Sequence, residues 1–298
     1  MGMIFGPAGN SDSFYVQGYK SSVDAPGWLR AMGLGAYEYQ CVRGVNIGEA
    51  TAAAIGEAAA RHNVALSIHA PYYINLASEN PEHVVKSKRH LLQSVRAARW
   101  MGATRVVFHP GSAGRDRKAA LDRAIKVLAE VVDEARSEEL DDIFICPETL
   151  GKYSYLGLLD EVLAMCSVDE RMFPAIDFGH IHAITRGSLT TKEAYAAVLD
   201  RCVEVLGEKR VRKIHIHFSP IEFTAAGERR HRTLRDEGFG PDFVPLAGLI
   251  IERGYSPILI CESNGTQAED ARHYQEIYQR LRKAQSPNNY FLFPAISV

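Results

Sequence analysis

The chain has 298 residues, of which 46% are hydrophobic, and its formal net charge at pH 7 is −2. This length and apolar content can bury a large core and suit one α/β barrel domain over residues 1–298. The near-neutral charge excludes a bulk positive field for nucleic acid or anionic membrane, so a nucleic-acid enzyme would need local basic groups and metals.

Short apolar runs that recur through the chain predict eight buried strands. Most are rich in Ile, Val, Phe or Ala and end in polar, Gly or Pro residues, a pattern that suits strands covered on both faces. In chain order the predicted strands are residues 3–5, 36–41, 65–69, 105–109, 143–148, 174–177, 213–217 and 257–262.

Segments with helical periodicity separate these strands. The clearest is 116–138, where Leu121, Ala124, Leu128, Val131 and Ala135 belong to one apolar stripe. The other predicted helices are 49–62, 81–101, 155–166, 190–206, 242–253 and 268–283. Because strands and helices alternate throughout, right-handed crossovers favour a single (β/α)₈ TIM barrel over an open sheet.

The longest segment without periodicity, residues 218–240, follows the seventh predicted strand. It is charged and contains Gly227, Gly238 and Gly240. Long loops at the carboxyl ends of barrel strands commonly carry function, so we expect this loop to contribute to the site.

The cysteines and the N-terminus indicate the compartment. The five cysteines are odd in number and form no CxxC pair, which favours reduced thiols in a cytoplasmic protein. The first ten residues lack the basic region and long apolar stretch of a signal peptide, and no apolar run reaches membrane-spanning length. We therefore expect a cytoplasmic chain with no membrane partner and no obligate protein partner.

Acidic and histidine residues recur at or just beyond the ends of the predicted strands. Since the carboxyl ends of barrel strands share one face, these side chains should meet in one pocket. Imidazole and carboxylate ligands without thiolates suit Zn²⁺, Mn²⁺ or Fe²⁺, and carboxylates can bridge paired ions. The nine predicted ligands, enough for three ions, are His69, His109, Glu148, Asp177, His180, His215, Glu228, His231 and Glu262.

Two details of the spacing leave alternatives open. His215 and His217 fall on one face of a strand because side chains alternate, and only one of them need bind a metal. Glu228 and His231 are three residues apart, so they would point the same way on a helical turn. Otherwise these two residues belong to a solvated charged loop.

The segments around these residues resemble the metal motifs of endonuclease IV, the apurinic/apyrimidinic endonuclease of the xylose isomerase-like TIM barrel superfamily. The likeness covers most of the chain, residues 1–285. The matching segments are His69-Ala-Pro-Tyr72-Tyr73, Phe108-His109-Pro-Gly-Ser, Glu148-Thr-Leu-Gly, Ile176-Asp177-Phe-Gly-His180, Lys213-Ile-His215 and Cys261-Glu262-Ser.

The resemblance implies a site for two or three zinc ions, with Mn²⁺ or Fe²⁺ as alternatives. Glu148 would act as a catalytic bridging ligand between two metals, and His69 and His109 would complete the first. The second metal would be held by Asp177, His215 and Glu262.

The third metal would be held by His180 and by residues that follow the seventh strand. The family supplies an Asp-x-His pair there, whereas this chain has Glu228-x-x-His231. The third metal, and with it full nuclease chemistry, therefore depends on whether Glu228 and His231 both bind.

The reaction implied by the resemblance is hydrolysis of the phosphodiester 5′ to an abasic site in damaged double-stranded DNA, as in base excision repair. A metal-bound hydroxide would be the nucleophile. The family inserts side chains into the duplex at the flipped-out nucleotide. Tyr72 and Tyr73 lie where two of these originate, and Arg43 lies where a third could. The alternative role of the two tyrosines is a hydrophobic lid.

A sugar isomerase or epimerase of the same superfamily is the alternative function, with a single Mn²⁺ or Co²⁺ ion and two carboxylates as acid and base. Such an enzyme would not need His69 and His109 as ligands. The ligands of the single ion in the isomerase or epimerase would be Glu148, Asp177, His215 and Glu262. A third class is a non-catalytic relative that binds metal or nucleic acid.

Overall fold

A computed structural model describes residues 2–285, in which strands and helices alternate along the chain. The parallel strands are β1 (Ile4–Pro7), β2 (Ala36–Gln40), β3 (Ala65–His69), β4 (Arg105–Phe108), β5 (Phe144–Pro147), β6 (Ala175–Asp177), β7 (His215–Phe218) and β10 (Ile258–Cys261). Between β7 and β10, β8 (Ile221–Thr224) and β9 (Gly227–His231) form an antiparallel hairpin. All eight predicted strands are present, and their ends differ from the predicted ends by at most two residues.

The parallel strands close into a barrel through two four-stranded sheets, ordered β2-β3-β4-β5 and β1-β10-β7-β6. Parallel bridges join the sheets, from Ala8 to Glu38 at one seam and from Glu148 to Ala175 at the other. The (β/α)₈ barrel predicted from the alternating pattern is confirmed by this closure.

Close backbone approach at the seam between β1 and β2 requires a glycine. A Cβ atom on Gly6 would lie 1.9 Å from the carbonyl oxygen of Ala36. Any larger residue would force the two strands apart, because backbone atoms cannot move aside as a flexible side chain can. The seam lies beside Glu38 on β2, which faces the barrel interior and is fully buried.

The helices pack around the outside of the barrel. They are α1 (Asp12–Val16), α2 (Ala25–Ala31), α3 (Glu49–His62), α4 (Pro81–Met101), α5 (Arg117–Ser137), α6 (Leu159–Cys166), α7 (Phe178–Ile184), α8 (Lys192–Leu206), α9 (Glu208–Val211), α10 (Phe243–Arg253) and α11 (Gln267–Ala284). The seven predicted helices are confirmed, whereas α1, α2, α7 and α9 were not predicted because segments this short carry too little periodicity.

Local signals in the sequence set the ends of these helices. Asn80 caps α4 by accepting a hydrogen bond from the backbone of Glu82 at 2.9 Å, and Gly102 ends it in the left-handed conformation. The helix predicted from residue 155 begins only at Leu159. Glu161 causes this later start by accepting from the backbone amides of Gly157 and Leu158, both at 2.9 Å.

The segment after β7 differs from its predicted form. A bulge lies on the hairpin, because Glu222 pairs with Arg230 while the adjacent Phe223 pairs with Glu228, so that Arg229 is an extra residue. Glu228 and His231 therefore lie on a strand and not on the helical turn that would have pointed them the same way. The bulge still brings Glu228 and His231 to the same face of the hairpin, because their partners on β8 are two residues apart.

The remaining expectations concern cysteines and membranes. All five cysteines are buried and free, as small apolar side chains of the core commonly are. Within residues 2–285, no helix combines the length and the apolar character that crossing a membrane requires.

Candidate metal centre

A cavity of about 550 Å³ opens at the carboxyl ends of the barrel strands. Five of the predicted ligands line it, namely His109, His180, Glu228, His231 and Glu262. Three more, His69, Glu148 and Asp177, are buried against them. The barrel therefore gathers eight of the nine predicted ligands, which come from both four-stranded sheets and the hairpin, into one site.

Glu148 lies at the centre of this site and presents its two oxygens to different groups. Its Oε2 is 3.1 Å from Nε2 of His69 and 3.2 Å from Nε2 of His109. Nδ1 of His69 lies 2.7 Å from the carbonyl oxygen of Ala70, which can only accept, so that nitrogen carries the hydrogen. Nε2 of His69 therefore faces Glu148 and is the nitrogen left to bind a metal once the ring is neutral.

The other oxygen of Glu148 belongs to a second group. Oε1 lies 3.3 Å from Nδ1 of His217, and the same nitrogen lies 3.4 Å from Oε1 of Glu262. Ligand atoms of Glu148, Asp177, His217 and Glu262 all fall within 4.8 Å of one another. This group has the predicted composition, except that His217 takes the place expected for His215.

The strand register explains why His217 rather than His215 reaches the second group. On β7, His217 pairs with Asp177 at the end of β6, whereas His215 pairs with Ala175 one layer deeper. His215 instead contacts Glu38, with Nε2 2.9 Å from Oε2. The geometry therefore favours His217 over the predicted His215 as the imidazole of the second group and places His215 beside it.

A third group forms where α7 meets the hairpin. Nδ1 of His180 donates to the carbonyl oxygen of Thr149 at 2.9 Å, so Nε2, 3.3 Å from Oε2 of Glu228, is the nitrogen left to bind a metal after it loses its proton. His231 approaches the same ring, with ring centroids 5.1 Å apart. Ligand atoms of Asp177, His180 and His231 also lie within 4.8 Å of one another. The hairpin bulge thus brings Glu228 and His231 to His180.

The distances and the hydrogen bonding fit divalent metal ions. Zinc bonds to nitrogen and oxygen are about 2.0–2.2 Å long, so tetrahedral ligand atoms lie roughly 3.3 Å apart. Glu148 meets His69 and His217 at 3.1 and 3.3 Å, close to that spacing. Asp177 Oδ2 is buried and makes no hydrogen bond within residues 2–285. Its nearest positive partner is Nδ1 of His180 at 3.3 Å, and a buried carboxylate oxygen that makes no hydrogen bond is a suitable ligand for a cation.

The buried carboxylates of the site also need positive charge to balance them. Burial favours the neutral form of Glu148, but His217 and His109 outweigh it and hold the Glu148 pKa well below its usual value. Burial raises the pKa of Asp177 to about 6. Burial also opposes charge on His180, but the Asp177 and Glu148 carboxylates raise the His180 pKa well above its usual value. Protons on these groups thus balance the negative charge of the carboxylates, and bound metal ions could take over that role.

Glu38 is a buried acidic residue of this region that sequence reasoning missed. Its carboxylate lies below His217, with Oε1 3.1 Å from Nε2 of that ring. It also accepts hydrogen bonds from Ser67 at 2.9 Å and from Gln40 at 3.1 Å. A charged residue inside the apolar run of the second predicted strand was the available signal, because carboxylates are seldom fully buried without a partner.

The three residues expected to contact DNA differ in position. Tyr72 lines the cavity, and its ring lies 4.8 Å from that of His69. Tyr73 packs against His90 instead and is 52% exposed. Arg43 is exposed in the turn after β2 and is not part of the cavity wall. Of these three residues, only Tyr72 covers predicted ligands, namely His69 and His109.

Lys152 is a lining residue that sequence reasoning did not single out. It follows the Glu-Thr-Leu-Gly segment and, among the described residues, is the sole lysine or arginine in the cavity wall. Its ammonium group makes no ion pair or hydrogen bond within residues 2–285. The mouth therefore contains a positive charge that is free to meet an anionic ligand.

Comparison with known families and sequences gives results consistent with this architecture. The model of the xylose isomerase-like TIM barrel family matches residues 26–284. An uncharacterized protein of Methanocaldococcus jannaschii is 32% identical over 262 residues, which cover 88% of this chain and 92% of that protein. A probable endonuclease 4 of Streptomyces avermitilis is 29% identical over 235 residues, which cover 76% and 73% of the two chains.

Solved structures with the same fold include proteins of two activities. Endonuclease IV from Thermus thermophilus superposes with a TM-score of 0.67 at 19% identity, covering 88% of this chain and 94% of that one. An L-ribulose 3-epimerase superposes with a TM-score of 0.66 at 14% identity, covering 97% and 96%. At these identities the likenesses establish the fold alone.

Proposed function

The chain belongs to the xylose isomerase-like TIM barrel family, and on that premise we propose that it is a metal-dependent endonuclease. The proposed reaction is hydrolysis of the DNA phosphodiester on the 5′ side of an abasic site, with two or three zinc ions. Relatives that carry the name probable endonuclease 4 support this choice of substrate.

The observation that carries the proposal is the position of Glu148 between two sets of ligands. Its Oε2 faces His69 and His109, and its Oε1 faces His217. A carboxylate with this placement can bridge two ions, and paired ions are the usual arrangement for hydrolysis of phosphate esters. A single-metal enzyme has no use for the separate pair of imidazoles, His69 and His109.

Each group of the site has a part in this reaction. Bound zinc would supply a Lewis acid that lowers the pKa of water and neutralises charge on phosphate oxygens. Glu148 keeps the ligand sets together, and Asp177 holds its carboxylate between two of them. Lys152 would bind a phosphate oxygen at the mouth, where its ammonium group has no partner among the described residues. Tyr72 covers His69 and His109 and would limit access of water.

Recognition of DNA in this proposal rests on local contacts. The net charge of −2 gives the chain little general attraction for a polyanion. Tyr72, in the cavity wall, and Tyr73, next to it in the chain, are 44% and 52% exposed. Exposed aromatic rings stack on bases that have lost their neighbours, so a duplex opened at an abasic site is a suitable target.

One observation favours a sugar epimerase as the second candidate. Glu148, Asp177, His217 and Glu262 alone form a compact set for one ion, with two carboxylates that could exchange a proton at a carbon next to a carbonyl. The fold is equally close to that of an L-ribulose 3-epimerase. This candidate leaves His69, His109 and His231 without a role.

The deciding experiment combines a metal count with two assays of the full chain. The proposal expects two or three zinc ions per chain and cleavage of an end-labelled abasic duplex on the 5′ side of the lesion. The same duplex with an intact base is the substrate control, and Glu148→Gln is the protein control. One ion per chain, no incision and turnover of ketoses would establish the epimerase instead.

A further inference from the structure

A line of buried polar residues runs through the barrel interior towards the metal centre. It consists of Arg105 on β4, His215 on β7, Glu38 on β2 and His217 on β7. We propose that Arg105, His215 and Glu38 are positioning residues that fix Nδ1 of His217 as its metal-binding nitrogen. This inference rests on the proposed metal site but not on the reaction that the site catalyses.

The line begins at a group that can only donate hydrogen bonds. Arg105 is buried, and its guanidinium nitrogens donate to the carbonyl oxygens of Lys213 at 2.6 Å and Ile214 at 3.3 Å. One of them also lies 3.4 Å from Nδ1 of His215. Because arginine has no acceptor, Nδ1 of His215 must accept, and the ring must carry its hydrogen on Nε2.

Glu38 receives the hydrogen bond from His215. Its Oε2 lies 2.9 Å from Nε2 of His215 and accepts from the Ser67 hydroxyl at 2.9 Å. Its Oε1 accepts from the Gln40 amide at 3.1 Å. Donors from three residues thus surround this fully buried carboxylate, whose oxygens are the acceptors of all three hydrogen bonds.

The carboxylate of Glu38 also faces the ring of His217. Oε1 of Glu38 is 3.1 Å from Nε2 of His217; the contact is an ion-pair distance and not a hydrogen bond within residues 2–285, but a carboxylate this close favours a hydrogen on Nε2. Nδ1 of the same ring faces Glu148 at 3.3 Å and Glu262 at 3.4 Å. A carboxylate that accepts from the far nitrogen of a metal-binding imidazole fixes the ring and makes it a stronger ligand.

A competing assignment would make Glu38, His215 and His217 a metal site of their own, since their ligand atoms lie within 4.8 Å of one another. The hydrogen bonds of His215 argue against it. Nδ1 accepts from Arg105, and Nε2 donates to Glu38. Neither nitrogen has a lone pair to offer, so this trio can orient His217 but lacks a third ligand of its own.

Nitrogen NMR of the full chain tests the tautomers directly. In protein labelled with ¹⁵N-histidine and loaded with zinc, His215 is expected to show a hydrogen on Nε2 alone. His217 is expected to show a hydrogen on Nε2 and a metal-shifted Nδ1. The His215 tautomer should persist in the zinc-free protein, so it can be checked even if the chain proves to bind no zinc. A hydrogen on Nδ1 of either ring in the zinc-loaded protein would overturn the proposal.

Substitution of Glu38 tests the consequence for metal binding. Glu38→Gln replaces one acceptor oxygen with a donor, so zinc affinity measured by competition with a chelator should fall about 10–100-fold. The visible spectrum of the cobalt-substituted protein should change as well. Ser67→Ala is the matched control, because it removes one donor to Glu38 without touching either ring, and it should retain both tautomers. A folded Glu38→Gln protein with unchanged zinc affinity and cobalt spectrum would refute the positioning role, and the wild-type tautomers decide the case if this variant does not fold.

Discussion

Glu148 follows β5 and His217 lies on β7, in different four-stranded sheets, and their side chains meet in the site with Oε1 and Nδ1 3.3 Å apart. This contact joins two of the three ligand groups. It also means that a change at Glu148 should alter more than one proposed ion, and the first prediction follows from it.

Glu148→Gln should leave the barrel folded but remove metal from the site. The variant loses the charge that both neighbouring groups share, so metal content should fall and incision of abasic DNA should slow by several orders of magnitude. Elemental analysis and single-turnover incision rates measure the two effects. Glu130→Gln, the same change on the outer face of α5, is the control. Wild-type metal content with near-normal turnover would contradict the bridging role.

Glu228→Ala and His231→Ala should each lose about one zinc ion per chain, because His180 alone offers too few ligands to hold a third ion. The bulge that turns Glu228 and His231 to one face supports a joint role. Arg229→Ala, at the extra residue between them, controls for changes in the hairpin itself. A loss seen only with His231→Ala would leave Glu228 outside the ligand set, and no loss with either would remove the third ion.

Replacement of Tyr72 and Tyr73 by Ala together should weaken binding to an abasic duplex more than to a short single strand. Stacking of an aromatic ring on a base contributes on the order of 1–3 kcal/mol per contact. Tyr73→Phe keeps the ring and should retain binding. Fluorescence anisotropy with both DNA forms gives the comparison, and equal losses on the two forms would make the tyrosines a lid.

Zinc binding at pH 7 should release protons, and zinc affinity should rise with pH. Burial opposes charge on His217, but the Glu262 and Glu38 carboxylates raise its pKa well above the usual value, so the metal-free ring carries a proton. Ligation requires the Nδ1 lone pair, which means that this proton must leave. Calorimetry in buffers of different ionisation enthalpy measures the release. Uptake of protons, or no exchange, would show that the metal-free site is already deprotonated.

Glu222→Gln should loosen the hairpin that contains Glu228 and His231. Glu222 accepts hydrogen bonds from Arg230 at 2.9 Å and from Arg229 at 2.5 Å. Bonds from Arg230 and the neighbouring arginines lower the Glu222 pKa from 4.5 to about 2. The contribution of this carboxylate is therefore complete above pH 4.5 and is lost as the pH falls towards 2.

Hydrogen exchange of the hairpin amides is the measurement for this prediction. Protection in the hairpin should drop in Glu222→Gln at neutral pH and change little in α5, which serves as the internal reference. In the wild type, the same hairpin amides should lose protection between pH 4.5 and 2 more than α5 does. Equal protection in the variant and the wild type would show that other contacts hold the hairpin.

The barrel was predictable because its strands are continuous apolar runs with clear ends, and most ligands because they follow those ends. The hairpin was not predictable, since its second strand, Gly227–His231, is short and largely charged and depends on a bulge. The choice between His215 and His217 depends on the register of β7 against β6, which no property of the seventh run reveals. Glu38 becomes recognisable only when β2 and β7 face each other across the barrel.

The two sheets of the barrel divide the ligands between them. His69 and Glu148 belong to the β2-β3-β4-β5 half, whereas Asp177 and His217 belong to the other half. Ions bound between Glu148 and the ligands of the other sheet, Asp177 and His217, would link the two sheets where β5 and β6 share few backbone hydrogen bonds. Metal binding would then stabilise the barrel against separation of its two sheets. In the metal-free chain, the contacts between β5 and β6 should open locally before the rest of the barrel unfolds.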